Sequence, residues 1–485
     1  MRTGKKFANG RYPVLAMAVV FTAGLGLLLP AKELLSSDEI WSEKTQAIGR
    51  VDTLPEGRLD EQALNQLINT GEELFAAKFT KPDGAGRPAA TQAIIPTKVR
   101  HQSEQAFARL AGPDAQACAS CHNDPVIGGA GDFVTNVFVS EGFSIANFDT
   151  SDPQFSNERG TNHLFGAGLL ELLAREMSAD LAALRRKALQ DAAKSGEPVK
   201  VELLTKGVSF GKLTAMPDGL VNLKEVSGVD ADLVIRPFSQ KGVMTSLRQF
   251  SVNAMNHHHG MQAEERFGER WTAESDFDAD GISRELLPAD ISALVAWQAS
   301  LPPPVETIPE NESWQQAASR GKEFFNSFSC AECHKTSLPL ASLSFADPGP
   351  LDVAGTIDET QVRNPAVYDL SLMEWARDLA RNERGEVLVP LFGDLKRHKM
   401  TDRSVSALGN ELLSQRFVGR DIFMTSELWG IGSTAPYGHR NDFSTLDEII
   451  RAHGGAGREA RDAYIDADAQ ARSALIAFLK TLVIE

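Results

Sequence analysis

Cysteine is scarce: 4 of 485 residues, all of them in two Cys-x-x-Cys pairs. That scarcity excludes a small-domain scaffold held together by dense disulfides. Positive charge is short as well. The chain carries 49 Lys+Arg against 65 Asp+Glu, a formal net charge of -16. A protein that works by neutralising phosphates needs the opposite balance, so nucleic acid is excluded as a partner for the chain as a whole. Long apolar runs are missing except for Val14 to Leu29, sixteen residues without a charge. What is present is 42% hydrophobic and 24% charged residues. That is the composition of a globular protein with sizeable cores, not of a disordered or fibrous one.

The apolar run follows Arg2, Lys5, Lys6 and Arg11, with no acidic residue before it. A basic flank ahead of a short apolar stretch is the layout of a secretory signal. Sixteen residues fall short of the roughly 20 that span a bilayer. Leu29-Pro30-Ala31 supplies a small residue at a cleavage position but a bulky one two before it. Residues 1–31 therefore read as a signal peptide or an N-terminal membrane anchor, with 32–60 a linker. Both readings export the rest of the chain to the periplasm. Without residues 1–31 the formal charge falls from -16 to -20.

The two cysteine pairs are Cys118-Ala119-Ser120-Cys121-His122 and Cys330-Ala331-Glu332-Cys333-His334. Cys-x-x-Cys-His is the attachment sequence of c-type haem. Two thiols at this spacing can add to the two vinyl groups of one porphyrin, and the adjacent His reaches the iron. His makes up 10 of 485 residues, so chance placement after both pairs runs at roughly 1 in 2,000. A zinc site from all four cysteines would join pairs about 200 positions apart, far beyond ribbon spacing. A redox dithiol needs no His at that place. Two covalent haems c are expected.

The chain also repeats itself. Gly71-Glu72-Glu73-Leu74-Phe75 matches Gly321-Lys322-Glu323-Phe324-Phe325, each upstream of a haem motif. Ser292-Ala293-Leu294-Val295-Ala296-Trp297 matches Ser473-Ala474-Leu475-Ile476-Ala477-Phe478 downstream. Leu475, Leu479 and Leu482 recur at helical spacing, and Pro288 with Asp290 marks a helix start. Each half thus carries an opening helix, a haem-binding turn and a closing amphipathic helix. The fold class is mainly α: two tandem cytochrome c-like domains, 61–301 and 313–485, joined by a Pro-rich linker at 302–312. Gly71 precedes Cys118 by 47 positions and Gly321 precedes Cys330 by 9, so the first domain is enlarged by insertions. Residues 197–240 alternate short Val/Leu runs with Gly, Pro and Asp, a small β-rich excursion.

Further motifs are Leu164-Phe165-Gly166-Ala167-Gly168-Leu169-Leu170-Glu171, Ser246-Leu247-Arg248-Gln249-Phe250 and the stretch Asp394 to Met400. Near the C-terminus stand Ala435-Pro436-Tyr437-Gly438-His439, Ser444-Thr445-Leu446-Asp447-Glu448 and His453-Gly454-Gly455. With the duplicated haem motif, these resemble the bacterial di-haem cytochrome c peroxidase superfamily. The nearest branch is its di-haem oxidoreductase family, also labelled thiol oxidoreductases. The resemblance covers nearly all of the exported chain. It departs at Arg440-Asn441, where the family usually has Asp-Gly after the His.

One axial ligand of each iron is assigned by the motif, to His122 and His334. The sixth position decides the chemistry, since Met raises the potential and an open site suits peroxide. Met400 lies between haem motif and closing helix, where cytochromes c place their Met, and His398 is its rival. In the first domain the resemblance implies a displaceable distal His, for which His163 and His258 are equal candidates. His163 ends a loop-like segment from Asn157. His257, His258 and His259, with Met255 and Met261 close by, follow no helix or strand period. Cleaving peroxide needs a group that moves a proton between its oxygens. Glu171 is the carboxylate for that role and Arg159 a stabilising cation. The resemblance places His439 beside the second haem, in reach of a propionate. Trp297 and Trp271 are nominees for assisting inter-haem electron transfer.

Asp276, Asp278 and Asp280, with Gly281 at the sixth position, open an EF-hand-type loop. Its twelfth position is Leu287, which excludes a full EF-hand and leaves Glu285 as substitute. The resemblance adds that di-haem peroxidases hold calcium, so Ca2+ is a further expected cofactor.

The function these readings imply is peroxide reduction at the first haem, with electrons relayed through the second from a small cytochrome or cupredoxin. A non-catalytic di-haem electron carrier and an oxidase of an organic or protein substrate are the alternatives. The acidic balance favours a basic electron donor.

Overall fold

A computed structural model describes residues 50–86, 89–92, 97–100, 116–138, 156–352, 355–402, 407–411 and 414–485. The expected signal or anchor at 1–31 lies outside the described residues. Among those described, no helix is long and apolar enough to cross a membrane.

The repeat seen in the sequence is a repeat of helix pairs. In the first half α1 (Glu61–Ala76) packs on α4 (Pro288–Ser300), which comes after α2 (Ala167–Ser195) and α3 (Leu247–Ala254) in the chain. In the second half α5 (Glu312–Ser327) packs on α8 (Ala469–Leu479), after α6 (Leu446–Ala452) and α7 (Arg458–Asp466). The starts follow from capping: Asp60 accepts from Ala63 N–H, Asn311 from Trp314 N–H and Asp468 from Ala471 N–H. Pro288 opens α4, where a missing N–H costs nothing, and Asp290 accepts from Leu287 N–H at 2.8 Å.

Glycine sets the distance between the paired helices. A Cβ on Gly71 would lie 2.0 Å from the Ala293 carbonyl oxygen and 2.8 Å from Trp297 Cβ. On Gly321 it would lie 2.0 Å from the Ala474 carbonyl oxygen and 2.8 Å from Phe478 Cβ. Ala293 and Ala474, like Trp297 and Phe478, are the residues matched by the sequence repeat. α8 keeps an exposed side, as an amphipathic closing helix should. α4 differs from that expectation: Ala289 through Ala299 are all buried. Its other sides are covered by α2, α3 and the strand at Ser344–Asp347.

β1 (Gly131–Phe138) and β2 (Ser156–Thr161) form an antiparallel pair. The segment read as loop-like before His163 is therefore largely strand. Residues 197–240 hold the expected β excursion, an antiparallel meander of β3 (Val199–Thr205), β4 (Val208–Ala215) and β5 (Val221–Val226). Its inner residues Leu203, Phe210 and Leu213 are fully buried, and α2 packs against the meander. The Pro-rich stretch at 302–312 contains β6 (Val305–Glu306). The second half adds β7 (Arg397–Lys399) paired with β8 (Ile422–Met424), while β9 (Leu482–Val483) pairs with β6.

Residues from 50 onward belong to one compact unit. Its main apolar core takes in side chains from both halves, from Leu64 and Trp297 to Phe345, Tyr368 and Trp429. A second core gathers Phe325, Phe392, Phe478 and Tyr464. The described part of the expected linker at 32–60 straps the two halves: Val51 N–H donates to Asp290 and Leu59 N–H to the Val367 carbonyl.

Candidate haem sites and their surroundings

Both Cys-x-x-Cys-His motifs form one tight helical turn. His122 N–H donates to the Cys118 carbonyl and His334 N–H to the Cys330 carbonyl, each at 3.0 Å. No disulfide joins the four half-buried cysteines. His122 Nδ1 bonds the Gly129 carbonyl at 3.3 Å, and His334 Nδ1 bonds the Phe392 carbonyl at 3.1 Å. A protonated Nδ1 held by a carbonyl leaves Nε2 with its lone pair, the arrangement a metal-binding His requires. Burial, with smaller contributions from other His residues, lowers both imidazoles to about 4, so both are neutral at pH 7. The donor set and its orientation fit covalent haem c at both places. Phe75 backs His122 at 5.9 Å between ring centroids, and Trp297 packs on Phe75 at 4.3 Å.

The three consecutive His residues follow neither an α-helical nor a strand period. Met255–His259 make a π-helical turn that continues α3. Such turns widen a helix locally and often mark functional sites. Here the turn is carried to the first motif: His259 Nε2 lies 3.4 Å from Cys118 Sγ, and His258 is the leading side-chain influence on the charge of His122. His163 influences His122 more weakly, and its Nε2 donates to the Trp429 carbonyl at 3.1 Å. Trp429 is buried against Gly166 and so joins the two halves. Trp297 belongs to the helix-pair core, and Trp271 stands half exposed.

At the second motif, His398, Asp394 and Cys333 converge, their ligand atoms within 4.8 Å of one another. His398 Nε2 is engaged with Asp394 Oδ2 at 2.8 Å. Met400 follows β7, and the methyl end of its side chain reaches the turn at Gly457. His453, quoted in the sequence only as part of a motif, also belongs to these surroundings. After burial it is the foremost influence lowering His334.

The proposed catalytic pair lies in buried ion networks. Glu171 is paired with Arg175, and its other oxygen accepts from Leu247 N–H at 2.7 Å. Burial raises its pKa above the usual carboxylate range in spite of Arg175. Arg159 pairs with Glu411 at 2.6 Å; Lys241 meets the other oxygen at 3.1 Å. His439 joins this cluster, Nε2 on Asn410 Oδ1 at 2.8 Å and ring 4.6 Å from Phe423. Burial and then Arg159 lower His439 to about 2, so the ring is neutral. Glu411 and Lys241 escaped notice because no motif surrounds them and the pairings of Glu411 with Arg159 and with Lys241 each span over 150 positions.

Asp276, Asp278 and Asp280 do converge, ligand atoms within 4.8 Å. Asp278 is fully buried, and among the described residues neither of its oxygens meets a hydrogen-bond donor in good geometry. Burial, then Asp280 and Asp276, push it up to about 8. Glu285 is buried beside them, and burial and Asp278 push it well above the usual range. Four carboxylates gathered at one place, two of them out of water, are a cation-binding chemistry.

No protein-family model matches the chain, and no curated protein does. Among solved structures, a MauG-like protein associated with microbial copper homeostasis is similar over 55% of this chain and 77% of its own, at 17% identity and a TM-score of 0.28. A xenon-pressurised hydrazine synthase of Kuenenia stuttgartiensis is similar over 92% of this chain and 99% of its own, at 12% identity and a TM-score of 0.35. Both likenesses are too distant to bear on the chemistry, which rests on the residues themselves.

Proposed function

We propose that the chain is an exported di-haem c-type cytochrome and an oxidoreductase of the peroxidase type. The observation that carries this reading is the pair of equivalent haem-motif turns, each with its His oriented by a backbone carbonyl. Cys118 and Cys121, and Cys330 and Cys333, would anchor the two haems as thioethers, with His122 and His334 as proximal ligands. Bound there, haem c supplies one-electron transfer and, where a coordination position opens, peroxide reduction. In the first half His258 is favoured over His163 as the displaceable ligand. His258 exerts the stronger influence on His122 and belongs to the π-helical turn whose His259 meets Cys118, whereas His163 bonds the Trp429 carbonyl. Trp429 is favoured over Trp297 and Trp271 as an aromatic group between the halves, where its carbonyl receives a hydrogen bond from His163. The buried ion pairs of Glu171 and Arg159 hold the framework around these sites.

Intact mass and a pyridine haemochrome assay should count two covalent haems. Stepwise reductive titration should then turn one iron high-spin at half reduction, and that form should consume peroxide. If both irons stay low-spin and peroxide leaves the spectra unchanged, the protein is an electron carrier. A turnover that depends on an organic substrate and not on peroxide would favour the oxidase reading.

Asp276, Asp278, Asp280 and Glu285 would hold one Ca2+, which would compensate the charge that buried Asp278 takes on when it gives up its proton. Calcium at 100 times its Kd should stabilise the folded protein by about 2.7 kcal/mol. The melting temperature should rise with added calcium and fall with chelator, and Asp278→Asn should remove the response. A melting curve indifferent to calcium sinks the assignment.

A further inference from the structure

We propose that His453, and not Met400 or His398, is the side chain that takes the sixth position on the iron held by His334. The inference rests on the haem reading of the second motif and names a ligand for that same site.

His398 and His453 both act on His334, Met400 packs beside His453 at Gly457, and Ile449 and Ile450 of α6 share a core with Cys330; hydrogen bonds separate the three donors. His398 directs Nε2 at Asp394 Oδ2, so the nitrogen that would reach a metal is engaged. His453 directs Nδ1 at the Ile449 carbonyl, 2.8 Å away, and among the described residues its Nε2 has no hydrogen bond. This is the orientation seen at His122 and His334, where a backbone carbonyl fixes Nδ1 and Nε2 remains a ligand. Of the three candidates, His453 alone repeats it.

The segment holding His453 is built to stay in place. His453 caps α6, and its carbonyl accepts from Arg461 at 2.9 Å. The two glycines that follow close onto the strand leading to Met400. Gly454 N–H donates to the Met400 carbonyl at 3.1 Å, and a Cβ on Gly455, at φ +53°, would lie 2.1 Å from the Lys399 carbonyl oxygen. A side chain at 455 would push this turn off the strand and carry His453 with it. Such support on both sides of a ligand is what a metal site needs for a fixed geometry. Met400 instead ends in the same turn: its methyl and the His453 ring both pack on Gly457. The thioether serves as packing beneath the turn, the commoner use of Met.

The consequence is chemical. A His/Met haem has a raised potential. A His/His haem lacks that increase, so the second haem would suit a lower-potential donor than a cytochrome-like Met ligation implies.

The test uses the haem-loaded protein. The ferric wild type should lack the weak red charge-transfer band of thioether ligation, and Met400→Leu should leave its low-spin spectrum unchanged. His453→Ala should convert one haem to high spin, and added imidazole should restore the low-spin form. His453→Met covers the case in which the alanine variant fails to mature: it should create the red band and raise that haem's potential. A red band in the wild type that Met400→Leu abolishes would overturn the assignment. The haem count by intact mass separates the two failures. Two haems with Met ligation defeat only this inference, whereas no covalent haem at Cys330 and Cys333 defeats the reading beneath it.

Discussion

Gly321→Ala will destabilise the protein, against the trend for a glycine inside a helix. Replacing an interior helical Gly by Ala ordinarily gains about 1 kcal/mol from backbone entropy. Here the new methyl would lie 2.0 Å from the Ala474 carbonyl oxygen. The obstacle is backbone in a packed helix, so it cannot swing aside, and the α5 and α8 pair must separate. Overpacking of this kind costs about 1–3 kcal/mol and sometimes more. The contact outweighs the propensity, and a net loss of about 1–2 kcal/mol is expected in urea unfolding. Gly71→Ala should lose a similar amount through Ala293. Because the two sites share no partner, the double variant should lose nearly the sum. A neutral or stabilised Gly321→Ala would show that the helices do not meet here.

That prediction joins the sequence and the structure at their point of best agreement. The repeat paired Ala293 with Ala474 and Trp297 with Phe478, and the same four residues meet Gly71 and Gly321 in space. Short motifs carried this information because helix-to-helix contact leaves a local pattern of small and large residues. The haem turns were legible for the same reason: five adjacent residues form the whole unit. Other features were not local. The π turn of His257 to His259 could not be read because it has neither helical nor strand spacing. The burial of α4 on several sides could not be read from its own sequence, since its covering comes from distant segments. Arg159 with Glu411 and His163 with Trp429 join residues over 200 positions apart, and no composition or spacing encodes them. His453 had a visible signal, a His followed by two glycines, but its meaning required the carbonyl that orients its ring.

Arg248→Met should cause the larger loss at neutral pH, and acid should partly reverse it. Arg248 is buried at the centre of an ion network that joins the halves. Its guanidinium donates to Asp347 at 2.9 and 3.2 Å, to Glu265 at 2.6 Å and to Ser292. Tyr368 adds a hydrogen bond to Asp347 at 2.7 Å. Removing one partner of a buried pair strands the others without water or countercharge, at a cost of about 3–5 kcal/mol. Methionine keeps most of the volume, so the loss would reflect charge and not a cavity. The pH dependence gives the mechanism a signature. Burial raises Glu265 to about 7 even with Arg248 pulling it down. For a carboxyl raised in the folded state, its contribution to stability is complete below the ordinary value near 4.5. It is lost as pH rises through about 7. Without Arg248 the folded value climbs further, and Asp347 loses the main influence that holds it low. Protonating both removes the stranded charges. Between pH 8 and pH 5 the variant should therefore regain more stability than the wild type does. Urea melts at the two pH values measure the difference directly. An equal deficit at pH 5 and pH 8 would mean that packing, not uncompensated charge, is what Arg248 provides.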